Sequence, residues 1–280
     1  MERKMKIKQK AIGLVFTFLL TLLLLVLFVS LDLYFGVFHE KSIIRKINES
    51  NYYHEVYKEL NTEAESLVNQ AGLPTSVLAE VITLERVYIS GEKYVESTLR
   101  GQTSEIATDK LREDFIHGVN EYLVSENILQ NKELTAGVEG LATDIEQIYL
   151  QGIQLEFIHY ITNYRQKYLS AIRWVIPIII LCISVICYFL IKMHSYKHRG
   201  VRQIDYAVNA SSILAVGVAA YLLLTKRYEQ PEITPEYYRN LLSLLLQWNY
   251  QVLLYLGGIG AALSMILITL VGYMRNRLNG

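Results

Sequence analysis

The sequence predicts an all-α polytopic membrane protein, with about four transmembrane helices and a helical extracytoplasmic stalk or bundle between the first and the second. The chain is 52% hydrophobic and 19% charged, which is apolar for a soluble domain of 280 residues. Its apolar residues are concentrated in long uncharged runs. The roughly 130-residue segment between the first two runs contains a single proline, Pro74, and little β-type alternation. These observations favour helices both inside and outside a membrane.

The first apolar run extends from Ala11 to Leu31 without a charged residue. Such a run is long enough to cross a hydrocarbon core of about 30 Å. Five Lys and Arg residues lie among the first ten residues and place this end in the cytoplasm. A cleaved signal peptide would have a shorter core and a small-x-small cleavage site, whereas Phe28 and Ser30 make a poor cleavage pair. We therefore expect an uncleaved anchor.

Three further spans are expected at Ala171–Ile191, about Ile204–Thr225 and about Val252–Tyr273. The segment 192–203 between the second and third spans contains four Lys or Arg residues and two His residues. The last seven residues contain Arg275 and Arg277. By the positive-inside rule, all these basic segments are cytoplasmic, so the N-terminus and the C-terminus lie on the same side.

The predicted organisation follows from these spans. In chain order it is a cytoplasmic N-terminus (1–10), transmembrane helix 1 (11–33), an extracytoplasmic helical domain (34–170), transmembrane helix 2 (171–191), a basic cytoplasmic loop (192–203), transmembrane helix 3 (204–225), an extracytoplasmic loop with an interfacial helix (226–251), transmembrane helix 4 (252–273) and a cytoplasmic tail (274–280). Residues 37–170 hold 21 acidic and 12 basic residues, a net charge of −9, and no cysteine. The extracytoplasmic domain is therefore acidic and is not a disulfide scaffold.

The extracytoplasmic segment divides into several predicted helices. One continues the first span outward from Val37 to about Asn69, with a break at Asn48–Asn51. Gly72 and Pro74 end it, because glycine tolerates a left-handed cap and proline cannot continue a helix. A second helix is expected from Ser76, with divisions at Gly91 and Gly101, and a third from Thr108–Asp109.

The last extracytoplasmic helix has the clearest apolar periodicity. Its apolar positions recur at steps of three and four residues: Ile145, Tyr149, Ile153, Phe157, Tyr160, Ile161 and Tyr164. No breaker separates this pattern from the second span, so the sequence predicts one helix from near Thr143 to near Lys192. This helix would form one leg of the stalk.

Small residues recur at helical spacing in the third and fourth spans. They are Ala207, Ser211, Ala215 and Ala219 in the third, and the pairs Gly257/Ala261, Gly258/Ala262 and Gly260/Ser264 in the fourth. Small residues allow helices to approach closely in lipid. Two interpretations stay open, self-association of the protein through these faces and packing of span three on span four within one chain.

The candidate metal ligands are two acid–histidine pairs, Asp114/His117 and Glu156/His159. Acid and histidine at i, i+3 share a helix face, as in carboxylate-bridged metal sites, but such a site needs two further carboxylates. The alternative is an ordinary solvated face. The sequence contains no nucleophile elbow, HExxH, phosphate-binding glycine loop or CxxC. We therefore assign no catalytic, cofactor-binding or metal residue and predict no cofactor.

The acidic residues nearest the spans, Asp32 and Asp205, lie towards the ends of the spans. An ion or proton pathway requires ionisable groups near the membrane midplane. The sequence therefore does not favour a conducting transporter.

The runs INESNYYHEVYKELNTEAESLV and AGLPTSVL, followed by the return to a second span, resemble multi-pass membrane proteins of Gram-positive bacteria. This resemblance implies a bacterial plasma membrane and no activity. The layout of span, helical ectodomain and second span is also similar to that of bacterial chemoreceptor sensor modules. It differs from them because no cytoplasmic signalling helices follow the second span.

These features predict a non-enzymatic accessory, scaffold or sensory subunit that acts through its extracytoplasmic helical domain. The expected partners are the lipid bilayer and another membrane or envelope protein, or a second copy through the small-residue faces, and no nucleic acid. The alternatives are a lipid- or solute-handling protein with a groove between spans three and four, and a metal-binding or metalloenzyme ectodomain that uses Asp114, His117, Glu156 and His159.

Overall fold

A computed structural model describes residues 2–103, 105–129, 131–194, 196–230 and 233–279, without the side chains of residues 2–10, 156, 278 and 279. The described residues form nine α-helices and no strand, which confirms the all-α class. The helices are α1 (Glu2–Phe35), α2 (Glu40–Glu49), α3 (Tyr52–Gln70), α4 (Leu84–Leu99), α5 (Asp109–Ser125), α6 (Lys132–Ile153), α7 (Glu156–Met193), α8 (Lys197–Thr225) and α9 (Glu236–Asn279). Two short 3-10 helices, Thr75–Leu78 and Arg227–Glu229, connect them.

Four of the helices are long and apolar enough to cross a membrane. The candidate spans are Ala11–Phe35 in α1, Phe157–Met193 in α7, Lys197–Thr225 in α8 and Glu236–Arg277 in α9. The apolar side chains of α1, α7, α8 and α9 include many that are exposed, as expected where lipid takes the place of protein contacts. The chain is therefore a membrane protein, and the prediction of four spans is confirmed at this level.

The chain forms two compact units, which we describe separately. The membrane unit consists of Met1–Ser42, Arg165–Ile233 and Leu242–Gly280. The helical unit consists of Ile43–Tyr164 and Thr234–Leu241. The first residues of α9 thus belong to the helical unit and the remainder to the membrane unit.

Within the membrane unit the long helices alternate in direction. From its N-terminal to its C-terminal part, α1 contacts α7 first at Met193 and later at Tyr168, so these two helices are antiparallel. Along the same direction α1 packs on α8 first near Gln203 and then near Ala215, so α1 and α8 are parallel. Helix α9 runs opposite to both. This alternation is what consecutive membrane spans require.

Two apolar clusters join α1 to the other three spans. One cluster contains Leu20 of α1 with Ile186 and Leu190 of α7 and Ala207 of α8. The second contains Phe28 of α1 with Ala215 and Ala219 of α8 and Leu253 of α9. Helix α1 is therefore the shared element of the packing in this unit.

The helical unit has a core made by helix faces at three- and four-residue steps. The buried face of α3 includes Val56, Leu60, Ala64 and Val68. The buried face of α6 is Val138, Ala142, Ile145, Tyr149 and Ile153. The two faces meet where Leu60 lies against Gly152. Helix α5 contributes Leu111, Phe115, Val119 and Leu123, and its start at Asp109 is confirmed.

A cluster of aromatic rings brings the start of α9 into the helical unit. The Tyr52 ring lies 5.5 Å from that of Tyr53, 5.5 Å from that of Tyr237 and 5.8 Å from that of Tyr238. The hydroxyl of Tyr237 donates a hydrogen bond to Glu59. Burial raises the pKa of Tyr52, so its side chain stays a neutral phenol. The leucine-rich segment 241–246 lies within α9.

The prediction of a single helix from near Thr143 to near Lys192 is wrong. Helix α6 ends at Ile153 and α7 begins at Glu156. Gln154 takes an extended conformation with ψ of 106°, and this turns Leu155 into the core, where it is fully buried. Burial of one leucine thus outweighs the continuous helical pattern of the sequence.

The predicted helix from Ser76 also begins elsewhere. A 3-10 turn occupies Thr75–Leu78, and α4 starts at Leu84, where the Thr83 hydroxyl accepts a hydrogen bond from the Arg86 amide. Gly91 lies inside α4 and does not divide it, because the Tyr53 ring fills the space where a Cβ would be. The predicted stops at Gly72 and Gly101 are confirmed, with φ of 77° and 73°.

The first span does not continue outward into one long helix. Helix α1 ends at Phe35, and the next two helices are separated at the predicted break, where Asn51 has a left-handed φ of 55°.

The contact between Gly91 and Tyr53 generates a stability prediction. We expect Gly91→Ala to destabilise the protein by about 1–3 kcal/mol, because the added methyl collides with a buried ring. Gly140→Ala in α6 is the matched control, since nothing lies within 4 Å of its Cβ position and alanine favours helix by about 0.5–1 kcal/mol. Thermal unfolding of the full-length protein in detergent measures both variants. Equal melting temperatures for the two would contradict the described packing.

Candidate functional site

Three large apolar side chains are exposed at the end of α5 in the helical unit. Val124 is 72% exposed, Ile128 is 45% exposed and Leu129 is 91% exposed. They lie within six residues of one another in the chain. We call Val124, Ile128 and Leu129 the apolar loop surface. Large contiguous patches of exposed apolar side chains are typical of interaction surfaces, whereas singly exposed ones are common.

The backbone that carries this surface is held by a helix C-terminal motif. Asn127 has a left-handed φ of 56°. The Ile128 amide donates to the Leu123 carbonyl at 2.9 Å, and the Asn127 amide donates to the Val124 carbonyl at 3.1 Å. These bonds form a Schellman motif, which satisfies the last carbonyls of α5. On the other side of the loop, the Asn131 side chain accepts from the Leu134 amide at 2.7 Å and caps α6.

The charges beside the apolar loop surface are mainly acidic. Glu121 and Glu126 flank it on the α5 side, and Lys132 and Glu133 follow on the α6 side. Anionic lipid headgroups would be repelled by this border. A protein surface with an apolar pocket and basic residues around it would match both the apolar area and the charge.

The candidate metal ligands are used in other ways. Asp114 of α5 forms an ion pair with Arg86, which also donates to the Val81 carbonyl. His117 is 73% exposed and lies 3.8 Å from Glu121. His159 of α7 has its Nε2 2.9 Å from the Tyr94 hydroxyl.

The side chain of the remaining candidate, Glu156, lies outside the described residues. Among the described residues, no three His, Cys, Asp or Glu side chains are grouped in a way that could hold a metal ion. The two i, i+3 pairs were visible in the sequence, but the partners Arg86 and Tyr94 were not.

A cleft of about 260 Å³ lies at the end of α1 in the membrane unit. Its lining combines apolar and charged side chains: Tyr34, Phe38, His39, Glu40, Lys41, Arg165 and Leu169. The Arg165 Nε donates to the Phe38 carbonyl at 2.9 Å, and its guanidinium lies 3.6 Å from the Glu40 carboxylate. Arg165 is therefore already bonded to the Phe38 carbonyl and paired with the Glu40 carboxylate within this cleft.

Two buried carboxylates of the membrane unit each contact a polar residue of α9. The amide Nδ2 of Asn249 donates to Asp32 Oδ2 at 3.0 Å. The Ser264 hydroxyl donates to Asp205 Oδ1 at 2.6 Å. Asp32 and Asp205 are only 3% and 4% exposed. The sequence placed both aspartates near span ends and gave no indication of their partners, which lie 217 and 59 residues away.

The small-residue faces of α8 and α9 are partly used within the chain. On α8 the predicted face is buried, with Ala207, Ser211, Ala215 and Ala219 at most 2% exposed. A Cβ at Gly257 would lie 2.7 Å from the Val216 side chain, so α9 packs closely on α8 at this level. Gly258 and Ala262 are exposed instead. Packing within one chain accounts for one face of α9, and Gly258 and Ala262 lie outside that face.

Comparison of the chain with protein-family models, curated proteins and solved structures finds no match. The class of the protein therefore rests on its own fold, that of an all-helical membrane protein with four candidate spans.

The contrast between Gly257 and Gly258 gives a prediction for the membrane unit. We expect Gly257→Leu to lower the melting temperature of the detergent-solubilised protein, because the new side chain collides with Val216. The neighbouring Gly258→Leu variant should unfold close to the wild-type temperature, since nothing lies within 4 Å of that site. A larger loss for Gly258→Leu would show that α9 is rotated relative to α8.

Proposed function

We propose that this protein is a non-enzymatic subunit of a bacterial plasma membrane, an accessory, scaffold or sensory protein that binds another membrane or envelope protein. In this proposal residues 34–170 form an extracytoplasmic helical domain between the first two spans. The observation that carries the proposal is the apolar loop surface of Val124, Ile128 and Leu129, exposed on a unit that otherwise has a well-packed core.

The free energy gained by burying the apolar loop surface in a complex supports a protein partner. Burial of one leucine side chain stabilises a complex by about 1.5–3 kcal/mol, and Leu129 is 91% exposed. The Schellman motif and the Asn131 cap hold the surrounding backbone before binding, which reduces the entropy lost on association. The acidic border favours a partner with basic residues around an apolar pocket.

The proposed topology places the N-terminus and the C-terminus in the cytoplasm. It is supported by the alternating directions of the four long helices, which bring the basic residues at the start of α1, around the α7–α8 connection and at the end of α9 to one end of the membrane unit. Positive charge at one membrane face is typical of the cytoplasmic side.

The alternative proposal is a lipid- or solute-handling protein. The groove predicted between spans three and four has no support at Gly257, where the helices are in close contact. The cleft at the end of α1 favours this alternative instead, because its aromatic, aliphatic and charged lining suits an amphipathic ligand. Native mass spectrometry of the detergent-solubilised protein would show a lipid that stays bound in a fixed ratio.

The partner proposal is tested with a photo-crosslinking amino acid at Leu129 in cells. We expect a discrete protein adduct at this position and none at Ile89, an exposed apolar residue of α4 that serves as the control. A second experiment places the crosslinking amino acid at Val124 and combines it with Leu129→Asp. This substitution should lower the yield of the protein adduct at Val124 at least about tenfold. Equal adducts at Leu129 and Ile89, or lipid adducts alone, would reject the proposal.

The topology is tested by labelling single cysteines from each side of the membrane, after replacement of Cys182 and Cys187. We expect cysteines at Glu126 and Glu229 to react with an impermeant reagent from outside, because both positions are exposed and fall in proposed extracytoplasmic segments. A cysteine at Lys197 should react only after the membrane is opened. Any other order of labelling contradicts the proposed topology.

A further inference from the structure

Asp32 of α1 is a buried carboxylate with only one of its two oxygens in a hydrogen bond. Its side chain is 3% exposed. Oδ2 accepts from Asn249 Nδ2 at 3.0 Å, whereas Oδ1 is buried without a partner. An ionised carboxylate with an unpaired oxygen in such a place is very unfavourable, because burial removes the hydration of its charge.

The side-chain amide of Asn249 also has one oxygen without a hydrogen-bond partner. Asn249 is 8% exposed, its Nδ2 already contacts Asp32, and its Oδ1 is buried without a hydrogen-bond donor. Gly36 leaves the space that this oxygen occupies, because a Cβ at position 36 would collide with it. The two groups that share one hydrogen bond therefore each carry one unsatisfied acceptor.

The charged groups on α7 do not neutralise Asp32. Tyr168 lies near enough to interact with it electrostatically, but its hydroxyl donates to the Ser30 carbonyl. The Arg165 guanidinium contacts the Phe38 carbonyl and Glu40. No ion pair among the described residues includes Asp32.

The other neighbouring helices add no opposite charge. Helix α8 packs against this part of α1 with Ala215 and Ala219. On α9, the titratable residue beside Asn249 is Tyr250, whose ring lies 5.9 Å from that of Tyr228. On α1 itself, the ring of Tyr34 packs on that of Phe35. The backbone amide of Leu253 on α9 also lies close to Asp32, so the neighbouring groups are polar or apolar but carry no positive charge.

We propose that Asp32 and Asn249 form a proton-binding site. Oδ1 of Asp32 takes up a proton from water and becomes a hydroxyl, which donates to Oδ1 of Asn249. The resulting acid–amide pair has two complementary hydrogen bonds, and one added proton satisfies both unpaired oxygens. Loss of the proton returns it to water, restores the carboxylate and leaves two buried acceptors between α1 and α9. The contact of the first span with the fourth is therefore sensitive to pH.

The proton is observed directly by infrared spectroscopy of the full-length protein in lipid nanodiscs. We expect a carbonyl stretching band of a protonated carboxylic acid at neutral pH, lost from the spectrum of Asp32→Asn and retained in Asp205→Asn. The second variant is the matched control, since Asp205 is also buried and its Oδ1 accepts from Ser264. A spectrum of Asp32→Asn that keeps the full wild-type band would overturn the proposal.

A stability measurement on the wild-type protein keeps the proposal testable if Asp32→Asn does not fold. The second hydrogen bond of the acid–amide pair exists only in the folded state and only with the proton bound, so its contribution is present at low pH and is lost as pH rises. We expect the melting temperature of the wild-type protein to fall as pH rises above neutral. A wild-type melting temperature that is insensitive to pH, or one raised by Na⁺ relative to choline at constant pH, would reject a proton as the ligand.

Discussion

Packing of α1 against all three other spans holds the membrane unit together. Leu20 and Phe28 of this helix belong to two separate apolar clusters, one with α7 and α8 and one with α8 and α9. Nearer the C-terminal end of α1, Asp32 accepts a hydrogen bond from Asn249 of α9, and the Ser30 carbonyl accepts one from the Tyr168 hydroxyl of α7. In lipid, such close packing and interhelical hydrogen bonds replace the hydrophobic drive that joins helices in water. The small faces of α8 and α9 follow from the same requirement, because they permit these contacts at short range.

The spans were predictable from the sequence because a membrane places a simple demand on it. Each span needs about 20 apolar residues, and the basic residues of the short segments mark one side. The ends of the long helices were less predictable. Helix α9 begins at Glu236, well before its apolar run, because Tyr237 and Tyr238 pack on Tyr52 in the helical unit. Composition alone does not show which ring a tyrosine packs against.

The helical unit shows the same limit in its internal breaks. Stops with a local chemical cause, such as the left-handed Gly72 and Gly101, were visible in the sequence. The break between α6 and α7 has a tertiary cause, the burial of Leu155. The position of Gly91 inside an unbroken α4 also has a tertiary cause, because the Tyr53 ring fills the space where a Cβ would be. The apolar loop surface was missed because Ile128 and Leu129 look like ordinary core residues until their exposure is known. The partners of Asp32, Asp205 and Asp114 are distant in sequence and carry no local signal.

The separation of Asp32 from Asn249 has a consequence for the assembly of the protein during synthesis. The two residues are 217 positions apart in the chain. At a ribosomal rate of about 5–20 residues per second, α1 leaves the ribosome roughly 10–40 s before its α9 neighbour. During this interval the first span has neither the Asn249 amide nor the Leu253 side chain to pack against. The insertion machinery, or lipid and water at the membrane surface, must therefore accommodate the Asp32 carboxyl group without its α9 partner until the last span arrives.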